Sequence, residues 1–305
     1  MEQNCTVSKD VIVDRFKAIQ DEICEALSQN DGGASFVEDL WERPEGGGGR
    51  TRILENGNVI VKGGVNFSAV HGAMDEKIAK ELGFSASDFF ATGVSIVIHP
   101  INPNVPIIHM NIRYFELDAN TWWFGGGIDL TPHWVNEEQT KWFHQQLKGV
   151  CDQFSTDYHP KFKEWADNYF YIPHREETRG VGGIFFDRLN TSNYPGSKSD
   201  LFEFTAALGE SFSRIYTQLM DSNKTKKYSE EDLDWQKVRR SRYVEFNLIY
   251  DRGTTFGLKS NGRVESILMS LPPDTGWEYN RAYSEREKTT LEKLVKGIDW
   301  INYTV

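Results

Sequence analysis

The run Ile107-Ile108-His109-Met110-Asn111-Ile112-Arg113-Tyr114-Phe115 sets a histidine, an amide and a guanidinium at i, i+2 and i+4. In a β-strand that spacing gathers them on one face, while Ile108, Met110, Ile112 and Tyr114 take the other. The apolar side suits a core. The polar side carries a proton donor, an amide and a guanidinium, an unusual combination to leave without a chemical use. Upstream, Ser95 and His99 also differ by an even number, and His99 to Pro106 is a turn-rich connection. Pairing 99 with 109 would set 95 opposite 113 and bring Ser95, His99, His109, Asn111 and Arg113 onto one surface. A solvated polar strand face is the competing reading.

Other residues carry weaker signals. Phe124 to Pro132 supplies a close-approach glycine backbone and one acid, Asp129, directly after Trp122-Trp123. Asp129 is either catalytic or the cap of a turn before Pro132. His144 flanks the stripe Phe143, Leu147, Val150 and Phe154, which suits a packed boundary histidine. His174-x-Glu176 could open a two-histidine, one-carboxylate iron site, but 7 His and 45 acids yield about one such pair by chance. Arg239, Arg240 and Arg242 read as a solvated charge run. Arg263, beside the turn Ser260-Asn261-Gly262, is a better carboxylate ligand. Gly46 to Gly49 lacks the continuation of a phosphate loop and reads as a flexible or subunit-contacting loop.

The elements that must position these residues follow from periodicity. Ile12, Phe16, Ile19, Ile23 and Leu27 after Ser8 predict an amphipathic helix over 9–28, ended near Gly32. Strands are expected over Arg52 to Glu55, Val59 to Phe67, Val94 to His99, Ile107 to Leu117, Trp122 to Gly125 and 182–188. A short helix is expected near 74–82, two helices over 136–171 broken at His159-Pro160, and further helices over 199–221, 229–239 and 284–296. Val244, Phe246, Leu248 and Tyr250 alternate with Glu245, Asn247 and Ile249, which predicts a strand, and 256–269 predicts a hairpin. Hairpin-length links favour antiparallel pairing, so the fold class is α+β, with residues 1–305 as a single domain.

Composition narrows the function. The 305 residues are 39% hydrophobic and 26% charged, and no apolar run reaches the roughly 18 residues of a membrane span. A net charge of -11 argues against general nucleic-acid binding. Cys5, Cys24 and Cys151 form neither a disulfide framework nor a metal motif, and the acid-rich first thirty residues are unlike a transit peptide. The expectation is a mature start, reduced thiols and a cytoplasmic location.

Five long segments then carry a resemblance: His109 to Glu116, Trp122 to Pro132, Tyr169 to Arg175, Gly180 to Asp187 and Glu265 to Pro272, in that order. Over about residues 35–300 the chain resembles the oxygen-dependent coproporphyrinogen oxidases. The resemblance implies a large, flat antiparallel sheet covered by helices on both faces, a deep substrate cleft and a homodimer. It implies conversion of two propionates of coproporphyrinogen III to vinyl groups, giving protoporphyrinogen IX, carbon dioxide and reduced oxygen in haem biosynthesis. It implies substrate contacts by Ser95, Asn111, Ile112, Arg113, Asn261, Gly262 and Arg263, with His109 as proton donor and Asp129 holding pyrrole N–H groups. Metal-associated histidines of some members map to His99, His109, His144 and His174, although no obligatory metal or organic cofactor is expected. A non-catalytic tetrapyrrole binder and a metal-dependent dioxygenase are the alternatives.

Overall fold

The computed structural model describes residues 7–74, 79–80, 83, 88–259 and 262–304. Helix α1 (Lys9–Asp31) begins where the Ser8 hydroxyl accepts the Val11 N–H, and it ends at Gly32 in the left-handed region, φ 66°. Its predicted stripe, Ile12, Phe16, Ile19, Ile23 and Leu27, is fully buried. The Asp31 carboxylate closes the helix onto the sheet by accepting N–H bonds from Gly33, Ala34, Asn58, Val59 and Ile60 at 2.8–3.1 Å.

Seven antiparallel strands form the sheet: β1 (Val37–Glu42), β2 (Gly47–Glu55), β3 (Ile60–Ala73), β4 (Asp88–Pro100), β5 (Ile107–Glu116), β6 (Trp122–Thr131) and β9 (Gly183–Leu189). Each of β1 to β6 pairs with its neighbour in sequence, and β9 closes the far edge against β6. The short pair β7 (Tyr171–Ile172) and β8 (Glu177–Thr178) lies apart. Ile108, Met110, Ile112 and Tyr114 are fully buried on one face, against α1 and the helix α4 (Lys198–Asn223). Gly209 lets α4 come this close, because a Cβ there would lie 2.7 Å from Ile112 Cδ1 and 3.1 Å from Ile19 Cδ1. On the opposite face Val97 and Ile107 pack beneath Tyr243 of α5 (Glu230–Ile249). Helices therefore cover both faces. Between α1 and these lie α2 (Glu137–Cys151) and α3 (Tyr158–Tyr169), with α6 (Arg252–Lys259), α7 (Val264–Leu268) and α8 (Glu285–Leu291) after α5. No helix among the described residues is long and apolar enough to cross a membrane.

Several expectations need correction. The 244–250 alternation is the last part of α5, and 256–269 forms α6 and α7 instead of a hairpin. Gly47 to Gly49 belong to β2, where bare backbone lets the neighbouring strands close in: a Cβ on Gly47 would meet the Ala69 carbonyl at 2.3 Å, one on Gly48 the Trp41 carbonyl at 2.2 Å, and one on Gly49 the Trp41 ring at 2.2 Å. The helices over 136–171 separate before Pro160, which sits in the first turn of α3, where a missing N–H costs nothing. Helix 284–296 shortens to α8, strand 122–125 runs on to Thr131, and β1 was not foreseen. Most of the helix expected at 74–82 lies outside the described residues, as do Cys5, Ser260 and Asn261.

Candidate active site

The observed register pairs Ser95 with Asn111, Val97 with His109 and Gly93 with Arg113, two residues away from the expected pairing of 99 with 109. A slip of two preserves parity, so Ser95, His99, His109, Asn111 and Arg113 do share one face. Ile112, by the same parity, points its side chain into the core and away from this face. On the other side of β5, Asp129 lies directly opposite His109, Gly127 opposite Asn111 and Gly125 opposite Arg113.

Arg113 lies across this bare floor. Its Nη1 donates to Asn111 Oδ1 and its Nη2 to Asp187 Oδ1, both at 2.8 Å, and its guanidinium stands 5.9 Å from the centre of the Phe185 ring. A Cβ on Gly125 would lie 2.7 Å from Arg113 Nε, and one on Gly93 would crowd the β5 backbone. Gly125 thus clears the space the Arg113 fork occupies, and Gly93 lets β4 approach the β5 backbone.

His109 Nδ1 donates to Asp129 Oδ1 at 2.8 Å, which leaves Nε2 as the ring nitrogen turned away from that carboxylate. Asp129 is 1% exposed and also accepts from Arg179 Nη2 at 2.8 and 2.9 Å through its two oxygens. Burial alone would raise the Asp129 pKa, but the adjacent Arg179 charge and the His109 bond override it and hold the carboxyl below its ordinary value. Arg179 Nη1 donates to Asn247 Oδ1 at 2.7 Å. The guanidinium is enclosed by the rings of Phe170, Tyr243 and Phe246, 4.5–4.7 Å from their centres. Both Asp129 oxygens are engaged inside the protein, Oδ1 with His109 and Arg179 and Oδ2 with Arg179.

The four candidate metal histidines do not fit a shared ion. His99 is fully buried with Nε2 against the Ser270 carbonyl at 2.9 Å, and burial pushes its pKa down to about 3. His144 Nε2 meets the Val181 carbonyl at 3.0 Å inside the α2 packing, again with a pKa lowered by burial to about 3. His174 bonds the Tyr250 hydroxyl and Glu245 at 2.7 and 2.8 Å. Among the described residues no group of three or more His, Cys, Asp or Glu side chains is arranged to hold a metal.

Arg263 is ion-paired to Asp39 of β1, and Gly262 donates its N–H to the Gly257 carbonyl. Arg239, Arg240 and Arg242, expected in solvent, are buried: Arg239 binds Glu177, Arg240 binds Asp274 and the Pro100 carbonyl, and Arg242 binds Glu245. Burial of these cations is sustainable because each has a partner. A polar cavity of about 370 Å³ beside Trp134, Gln139 and Arg286 contains none of the site residues.

Arg179, Asn247 and Asp187 escaped the sequence reading. Arg179 and Asp187 had usable signals: the first directly precedes, and the second ends, the segment Gly180 to Asp187 that carries the resemblance.

Residues 11–300 match the family model described as coproporphyrinogen III oxidase. Over 303 residues the chain is 46% identical to "Coproporphyrinogen-III oxidase 1, chloroplastic" of Arabidopsis thaliana, covering 94% of this chain and 78% of that relative.

Proposed function

The chain belongs to the coproporphyrinogen III oxidase family, and from that premise we propose how its residues serve the reaction. It is an oxidoreductase of haem biosynthesis that decarboxylates two propionates of coproporphyrinogen III oxidatively to vinyl groups. The observation that carries the residue assignment is the His109–Asp129–Arg179 array beside the Arg113 floor.

Converting a propionate to a vinyl group breaks one β-carbon C–H bond and releases carbon dioxide, yielding two electrons and one proton. Molecular oxygen accepting those electrons to the peroxide level needs two protons, so the site must supply one more. His109 Nε2 is the atom for that transfer, and Asp129 fixes its tautomer through Nδ1, as an orienting carboxylate does for a catalytic histidine. Arg179 keeps Asp129 ionised in a buried place. Arg113 and Arg263 hold substrate carboxylates, helped by Asn111, Ser95 and the 261–262 backbone. An aerobic assay with product identification tests the assignment. Release of about two carbon dioxides per substrate supports the enzyme, and stoichiometric binding without release supports a tetrapyrrole carrier.

Neither an obligatory metal nor an organic cofactor is part of this reading, because the substrate supplies the electrons and the four histidines serve separate internal bonds. Loss of activity after exhaustive chelation, restored by one metal, would favour the metal-dependent dioxygenase. A homodimer is supported by Leu248, Ile249, Phe256, Leu258 and Val264, large apolar residues left exposed on consecutive helices. Sedimentation as a monomer at micromolar concentration would overturn it. For location we propose the cytoplasm, consistent with the free buried thiols of Cys24 and Cys151. Cell fractionation checks this.

A further inference from the structure

The two arginines assigned to substrate carboxylates are both paired with carboxylates of the chain itself, Arg113 with Asp187 and Arg263 with Asp39. The Asp129–Arg179 pair, by contrast, is sealed in, at 1% and 2% exposure. Arg113 and Asp187 are each 34% exposed, on the face the substrate must approach. Asp187 stands on β9, next to the Phe185 ring that supports the guanidinium. Asn111 already fixes the other terminal nitrogen of Arg113, so Asp187 is not needed to hold the arginine over Gly125.

We propose that Asp187 is an affinity-determining residue of the carboxylate subsite. It neutralises Arg113 in the free protein and yields the guanidinium to a substrate propionate. Binding at this point is then an exchange of one carboxylate for another instead of the gain of a bare ion pair. When that propionate has lost its carboxylate, Asp187 recovers the arginine, and a cation is not left without a counter-charge as the product departs. The inference rests on the reading of Arg113 as a carboxylate ligand.

The test uses the full-length enzyme with coproporphyrinogen III, comparing wild type, Asp187→Asn and Arg113→Ala. The amide oxygen of Asn can still accept from Arg113 Nη2, so the substitution removes the competing charge and little else. The KM of Asp187→Asn should fall about five-fold at low ionic strength, a partly exposed pair being worth roughly that factor, and the gap should narrow as salt is raised. Its kcat should not rise. A KM that stays level or increases, in a variant with wild-type melting temperature, overturns the exchange. Arg113→Ala separates the two levels of the argument: an unchanged KM there refutes Arg113 as ligand, whereas a raised KM alongside an unresponsive Asp187→Asn refutes the exchange alone.

Discussion

Breaking the Asp129–Arg179 pair should be costly, and breaking it twice should cost little more. Asp129 is 1% exposed and Arg179 2%, with two contacts of 2.8 and 2.9 Å between them. Asp129→Asn strands a guanidinium among three rings, and Arg179→Met strands a carboxylate with only His109 to bond. An uncompensated buried charge costs about 3–5 kcal/mol, so each single variant should lose about that much. At roughly 2 °C per kcal/mol for a chain of this size, the melting temperature falls by about 6–10 °C. The double variant buries neither charge, and its stability should lie near that of the worse single variant, a coupling of about 3 kcal/mol. Urea unfolding of the four proteins gives this number directly. Additivity within about 0.5 kcal/mol would mean that the two side chains do not depend on each other, and the positioning of His109 through them would fail.

Further expectations concern single sites. His109→Ala should lower kcat by about 10²- to 10⁴-fold with KM little changed, and near-normal turnover would remove it from proton transfer. Gly125→Ala puts a Cβ 2.7 Å from Arg113 Nε and should raise KM about ten-fold through displacement of the guanidinium, with the melting temperature as control. Asp31→Asn should cost about 3 kcal/mol by weakening charge-assisted bonds to five backbone N–H groups. Burial acts to raise the Asp31 pKa, but those N–H bonds outweigh it and lower the value from 3.8, so its contribution is complete above that pH and is lost as pH falls through the folded-state value. A wild type that loses stability no faster than Asp31→Asn below about pH 4 would contradict this.

Much of the candidate site's strand face was readable because strand parity tolerates error. The register was misjudged by two residues, yet Ser95, His109, Asn111 and Arg113 kept their common face. The opposition of His109 and Asp129 was also within reach: the hairpin turns at Asp118 to Thr121, and folding the chain about that point lays 129 against 109. The helix α5 was misread for a physical reason. Its buried face includes Arg239, Arg240 and Arg242, long cations occupying positions that a hydrophobic period expects to be apolar, while Val244, Phe246 and Leu248 happened to alternate. Arg179 was hidden similarly, since sequence spacing does not reveal that three rings and two polar partners from distant segments converge on one guanidinium.

The order of the sheet has a kinetic consequence. β1 to β6 are linked by successive neighbour pairings, so they can zip locally with little loop-closure cost at each step. β9 instead reaches β6 only after the long excursion from Thr131 to Gly183 through α2 and α3. Until that strand docks, β6 presents an open edge, and Arg179, just ahead of β9, is absent from Asp129. Refolding should therefore pass through a state with the meander formed and the acid–base pair still uncompensated, prone to edge-to-edge association.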